Sequence, residues 1–386
     1  MDTPGSSALT DRPHAGKSAS ERLPMETLSQ IFISCLKSPF STPSRAEAPL
    51  LLTEVCTCWR LCALNTTALW CSLAIVQDAY EAKKNLLHRI RVMSTWFARA
   101  RERPLALSLY VWQTLDLQWQ LCVPALLDIL PRCRILEIGV HYTWLFPLAG
   151  ETLPALEDLC ASCSGCNGKI FTLEPPLQTP SLRNLNVTVR DRAECVLSSL
   201  AFPVRQLREL YWDDIQMVGP PPAHILRECD FLELLVNKSS VGYETLMANS
   251  LITMISSFHC SLTHLDISCC MEEAFVALVY EPDVDGTHDL LPRLTSMKIL
   301  CQGLSSDELL RAPVHVERMR IRSRIPAGDL GVPSLRELNI EIQVERRDHY
   351  IAWLSDGLGS VRRNGGGPHE YAGRTVLNFG GSEDEP

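Results

Sequence analysis

Cys160, Cys163 and Cys166 are the residues whose types and spacing come nearest to chemistry. A C-x-x-C-x-x-C run is how an iron–sulfur or zinc site can begin, because closely spaced thiolates can share one ion. A structural zinc site needs four ligands, usually as two separated pairs, and an iron–sulfur run needs a fourth Cys shortly after. Ile170 stands where that Cys belongs, there is no second C-x-x-C pair, and Cys269 and Cys270 are adjacent. These cysteines therefore read as small buried or loop residues, with no metal and no cofactor. Gly16-Lys17-Ser18 echoes the end of a phosphate-binding loop, but Asp11 occupies its first Gly position and no strand precedes it. His141, His259, His264 and Glu337 are the material an enzyme cleft in the C-terminal part would use. They are scattered, and isolated histidines are usually structural, so no catalytic residues are expected.

The elements that would position such groups are bounded by composition. The chain has 386 residues, of which 46% are hydrophobic and 21% charged, enough for one large or two smaller domains. A formal net charge of −9 argues against a nucleic-acid partner, since phosphate affinity needs a basic face. The Ser-, Gly- and Pro-rich start lacks the apolar core of a signal peptide, and no run approaches the eighteen or so apolar residues of a membrane span. The Asn65, Asn186 and Asn237 triplets therefore read as chance, and the sixteen cysteines as reduced thiols. An intracellular protein, cytoplasmic or nuclear and without a membrane partner, is expected.

The most informative stretch is Leu23 to Leu73. Pro24 suits the first turn of a helix, where its missing N–H costs nothing, and Glu26 sits near the positive end of the helix dipole. Leu28, Ile31, Phe32, Cys35 and Leu36 then recur on one side of a 3.6-residue period. Pro49 opens a second segment, with Leu52, Val55, Cys56, Trp59 and Ala63 at helical spacing. About fifty residues cannot enclose so many large apolar side chains alone, since small domains bury only about 60% of their unfolded surface. The plain alternative is a helical hairpin whose apolar face is core for the following domain.

Leu23-Pro24-x-Glu26-x-Leu28-x-x-Ile31-Phe32-x-x-Cys35-Leu36, then Leu52-x-x-Val55-Cys56-x-x-Trp59-Arg60 and Ala68-Leu69-Trp70, resembles an F-box. It is most similar to the fungal F-box-like group, in which a short variable insert separates the first two helices. Ala68 stands where relatives often carry Pro, which weakens the turn signal but keeps the Trp. The resemblance implies a helical unit that docks on the Skp adaptor of a cullin ubiquitin ligase. Carried over by position, Leu23, Pro24, Leu28, Ile31, Phe32, Leu52, Val55, Trp59 and Trp70 are the implied adaptor contacts.

After Leu73 a short strand (73–76) and a helix from Glu81 to Arg103 are expected, Pro104 ending the helix before a strand from Leu105 to Val111. The helix ending in Trp-Phe-x-x-Ala, followed by Arg-Pro-Leu-x-Leu-x-Leu, extends the resemblance to about residue 112. Beyond it a phrase of the form Leu-x-x-Leu-x-Ile recurs, as in Leu182-Arg-Asn-Leu185-Asn-Val187, Leu262-Thr-His-Leu265-Asp-Ile267, Leu294-Thr-Ser-Met297-Lys-Ile299 and Leu335-Arg-Glu-Leu338-Asn-Ile340. Fainter copies centre on Leu136, Leu159, Leu210, Leu235 and Met319. The intervals run from roughly 19 to 32 residues, about 25 on average, close to the range of leucine-rich repeats. Helix-like segments lie between, as at 193–200, 245–258 and 306–311.

The fold expected is therefore mixed α+β and α/β: an N-terminal helical F-box unit, then an irregular, curved, leucine-rich-repeat-like β/α solenoid. The divisions are a tail over 1–20, the helical unit over 21–73, a strand–helix–strand connection over 74–112 and the degenerate repeats over 113–360. A Gly-rich, acidic and mostly flexible tail follows over 361–386, with a short strand at 375–379. An unrelated α/β domain with Leu-rich strands is the competing reading.

Alternation places Leu185 and Val187 inward and Asn184, Asn186 and Thr188 on an open face. The face expected to hold a target comprises Asn184, Asn186, His264, Asp266, Arg318, Arg320, Arg322, Glu337 and Asn339. The three arginines are expected on a strand beside Glu337, Asn339 and Glu341, either pairing across it or receiving an acidic or phosphorylated partner. The resulting expectation is a non-enzymatic substrate receptor that binds the adaptor at one end and an unknown target protein at the other. A protein-interaction scaffold without target turnover is the alternative.

Overall fold

The structure, a computed structural model, describes residues 23–36, 39–77, 84–111, 116–141, 147–164, 175, 177–189, 204–214, 229–239, 262–269, 293–302, 337–344 and 373–380. Three helices come first: α1 (Met25–Ser34), α2 (Leu50–Val55) and α3 (Thr57–Asn65), then a 3-10 turn over Thr67–Trp70. The helix expected from Pro49 onward is thus two helices. Cys56 is extended (φ −157°, ψ 173°), and its Sγ accepts the Trp59 backbone N–H, capping α3.

The remaining elements are β1 (Ser72–Gln77), α4 (Lys84–Ala100), β2 (Leu105–Val111), α5 (Asp116–Ile129), β3 (Cys133–His141) and β4 (Asp158–Ser164). They continue with β5 (Asn184–Val189), β6 (Glu209–Asp214), β7 (Leu234–Ser239), β8 (His264–Cys269), β9 (Ser296–Gln302), β10 (Glu337–Val344) and β11 (Gly373–Gly380). Among the described residues the eleven strands form one sheet in chain order, parallel from β1 to β10, with β11 antiparallel to β10. This is an α/β fold, and β1 and β2 belong to the same sheet as the later strands. The expected boundary near residue 112 therefore does not interrupt it, and the C-terminal segment supplies β11 around the anticipated 375–379 strand.

The register explains why the Leu phrase recurs. Leu73, Leu107, Leu136, Leu159, Leu185, Leu210, Leu235, Leu265 and Met297 align as one row across the strands, and all are buried. The Leu three positions earlier, as at Leu182, Leu207, Leu232, Leu262 and Leu294, is buried too. Each such side chain contributes about 1.5–3 kcal/mol by leaving water. Backbone bonds tie successive strand entries together, Arg208 N–H to Arg183 O at 2.8 Å and Glu233 N–H to Arg208 O at 2.8 Å.

The two neighbours of β10 in the sheet are β9 and β11. Arg318, Arg320 and Arg322 lie outside the described residues, as do the helix-like segments expected between phrases.

Helix α4 ends at Ala100, and the next residue, Arg101, has a left-handed φ of 55°, a conformation that crowds any Cβ. Arg101→Gly is expected to raise stability by about 0.5–1 kcal/mol, read as a higher melting temperature.

Two buried thiols, Cys122 in α5 and Cys133 at the start of β3, carry a pH dependence. Burial pushes Cys133 from 9.0 up to about 12, and Cys122 from 9.0 up to about 11. Folding thus favours the protonated thiols, so their contribution is intact below pH 9 and is lost as pH rises from about 9 through 11–12. Urea unfolding at pH 8 and 10 is expected to show a loss of roughly 1 kcal/mol from each of these groups. The slope should be shallower in Cys133→Ala.

Candidate functional site

The helices bury one side against the core they share with α4 and the sheet. Leu28 and Phe32 of α1 and Leu52 of α2 are 1%, 0% and 4% exposed, and Phe32 packs on Trp59 of α3 with ring centroids 5.0 Å apart. The Ser29 hydroxyl bonds to that of Thr66 at 2.8 Å, tying α1 to the end of α3. Trp70, fully buried, donates its indole N–H to Ala63 O at 2.9 Å, satisfying a carbonyl in the last turn of α3. It meets Trp96 of α4 edge-on at 4.9 Å, with the Arg99 guanidinium 4.3 Å above its ring. Trp96 in turn donates to Ser72 O at 3.1 Å, so the two indoles join the helices to the sheet.

This corrects the expected contact set. Leu28, Phe32, Leu52 and Trp70 are sealed inside the molecule and shape its surface without forming it. Trp59 is half-buried, while Leu23, Pro24, Ile31 and Val55 are exposed. Sequence reasoning missed Met25, Leu51, Leu61 and Leu64, which are also exposed. Leu51 and Val55 share a face at i, i+4, as Leu61 and Leu64 do at i, i+3, and that spacing is the signal that could have found them. Seven of the ten large hydrophobic side chains left exposed among the described residues lie between Leu23 and Leu64. Scattered single exposures are ordinary, whereas such a concentration marks an interaction surface.

A second surface is the polar face of the sheet. Asp158, Asn184, Glu209, Leu234, His264 and Ser296 align in one row, and Cys160, Asn186, Tyr211, Val236, Asp266 and Lys298 in the next. The register therefore brings Asn184 onto the row of His264, and Asn186 onto that of Asp266, and places Glu337 and Asn339 at the ends of these rows on β10. Asn184 donates to the Asp158 carboxylate, the Tyr211 hydroxyl donates to Glu209 at 3.3 Å, and Lys298 pairs with Asp266 at 3.5 Å. Burial, and then the charges of Glu209 and Asp266, raise the Tyr211 hydroxyl above its usual range. Glu137, Asp158, Glu209 and Asp213 were not anticipated on this face, because the faint Leu copies align only once the strands pair.

The residues considered for chemistry do not converge. Cys160 sits half-buried in β4, where burial, with the charge of Glu137, raises its thiol against the hydrogen bond from Tyr110. A metal ligand needs the opposite bias, toward thiolate. Cys163 lies farther along β4, and Cys166 and His259 lie outside the described residues. His141 ends β3, and His264, at the start of β8, shares a 2.7 Å hydrogen bond with the hydroxyl of its neighbour Thr263. Among the described residues no group of three His, Cys, Asp or Glu could hold a metal ion, and no helix is long and apolar enough to cross a membrane.

Compared with known proteins, the chain matches no protein-family model and no curated protein.

Proposed function

We propose that this protein is the substrate-recognition subunit of a cullin-type ubiquitin ligase. Its F-box-like helical unit binds a Skp-type adaptor, and a leucine-rich-repeat-like stack of strands holds a target protein. The observation that carries this reading is the concentration of exposed hydrophobic side chains on α1 to α3, left at the surface while Leu28, Phe32, Leu52 and Trp70 join the core that continues into the sheet. A hairpin serving only as core for its neighbour has no use for that surface. The repeat reading is supported by the one buried Leu or Met that each strand from β1 to β9 contributes to the same row. Such a protein breaks no bonds itself. It supplies proximity, making the encounter of a target lysine with the ubiquitin-carrying enzyme effectively intramolecular.

The test is co-purification of the full chain with a purified Skp adaptor. Stable association is expected, and absence of association sinks the proposal. The scaffold reading separates at the next step: deleting residues 23–73 should make a bound target accumulate if the protein is a receptor, and leave its level unchanged if it is a scaffold.

A further inference from the structure

We propose that the polar face of the sheet is a docking surface for a basic, Lys- or Arg-bearing segment of the target protein. This rests on the receptor reading and adds to it the chemistry of the target. Between β3 and β9 the register assigns five carboxylates to this face, Glu137, Asp158, Glu209, Asp213 and Asp266, against two lysines, Lys238 and Lys298. Lys298 is already engaged with Asp266 at 3.5 Å, and among the described residues the Asp158 carboxylate is met by the neutral amide of Asn184. Glu137 forms no ion pair among the described residues, and Asp213 stands in register with Lys238. A surface with that surplus attracts a cationic segment and repels an acidic or phosphorylated one, the reverse of the arginine-lined patch expected from sequence.

A second, independent feature lies in the same face. The Ser162 hydroxyl, 3% exposed and in register between Gly139 and Thr188, has no hydrogen-bond partner. Buried polar groups are nearly always paired, so an uncommitted hydroxyl inside an otherwise acidic face is a group left for a bound chain to meet. The carboxylates run from β3 to β8, five inter-strand gaps or about 24 Å, which an extended segment of about seven residues spans. Side chains of such a segment reach the acids at intervals, so alternate or near-alternate cations fit better than a single one.

The experiment uses the full-length protein without adaptor and three fluorescent ten-residue peptides of matched length. One carries four Lys or Arg, one four Glu, and one is neutral. The basic peptide is expected to bind at least tenfold more tightly than either of the others, with affinity falling as salt is raised. Glu209→Gln combined with Asp213→Asn should weaken it about tenfold. Glu26→Gln with Glu102→Gln, an equal change of charge on other exposed residues, should leave it within about twofold. Equal binding of all three peptides, or equal losses in the two double variants, overturns the proposal. Adaptor binding, measured separately, decides the receptor reading: adaptor bound with no basic preference sinks only this inference, and basic preference without adaptor binding sinks only that reading.

Discussion

Trp70→Ala is expected to cost about 3–5 kcal/mol, the range for emptying a buried large aromatic site, and to be the most destabilising single change in the N-terminal part of the chain. Three contributions act together at this one side chain. The indole is wholly buried between the helices and α4, its N–H holds the Ala63 carbonyl at 2.9 Å, and its ring takes the edge contact with Trp96 and the guanidinium of Arg99. Removing it leaves a cavity and returns a carbonyl of the last turn of α3 to an apolar surround. Urea unfolding followed by tryptophan fluorescence and circular dichroism measures the loss. Trp70→Phe keeps most of the volume but not the N–H, and should lose clearly less. A loss below about 1 kcal/mol for the alanine variant would mean that the two indoles do not hold the helices to the sheet.

The second large effect separates surface from core within the same helices. Leu23→Ala, Ile31→Ala and Val55→Ala together remove exposed side chains, 42%, 43% and 54% accessible, so the melting temperature should barely move. Binding should respond quite differently. Interface anchors of this kind cost about 2 kcal/mol or more each when truncated, and non-additivity reduces the sum, so at least a hundredfold loss of adaptor affinity is expected. Titration of the adaptor into wild-type and triple-variant protein reads this directly. Equal affinities would reject the exposed set as the contact surface, while Phe32→Ala would be uninformative, because it damages the core beneath.

What the sequence revealed and what it hid follow from the same physics. The strand at Leu105–Val111 and the phrases at Leu182, Leu262 and Leu294 were legible because a period of two, fixed by the pleat, leaves little choice of which residues go inward. Helical periodicity was less decisive on α1. It grouped Leu28, Ile31 and Phe32 in one stripe, but only packing reveals that Leu28 and Phe32 lie at its centre and Ile31 at its margin. The break at Cys56 gave no warning, since the apolar spacing runs through it and Cys is not among the usual capping residues. Helix α5 was not anticipated either; Pro124 within it breaks the pattern by which helices are recognised. The acidic face was hidden for another reason. Apart from Glu209 and Asp213 on one strand, its carboxylates are about 20 to 50 residues apart in sequence, and only strand pairing makes them neighbours.

Hydrogen–deuterium exchange of the wild-type protein, with and without a purified Skp adaptor, tests the central claim most directly. Added protection is predicted over α1 and from α2 through α3, residues 25–34 and 50–65, with the sheet unchanged. Exchange in those helices that the adaptor leaves unaltered would contradict the account.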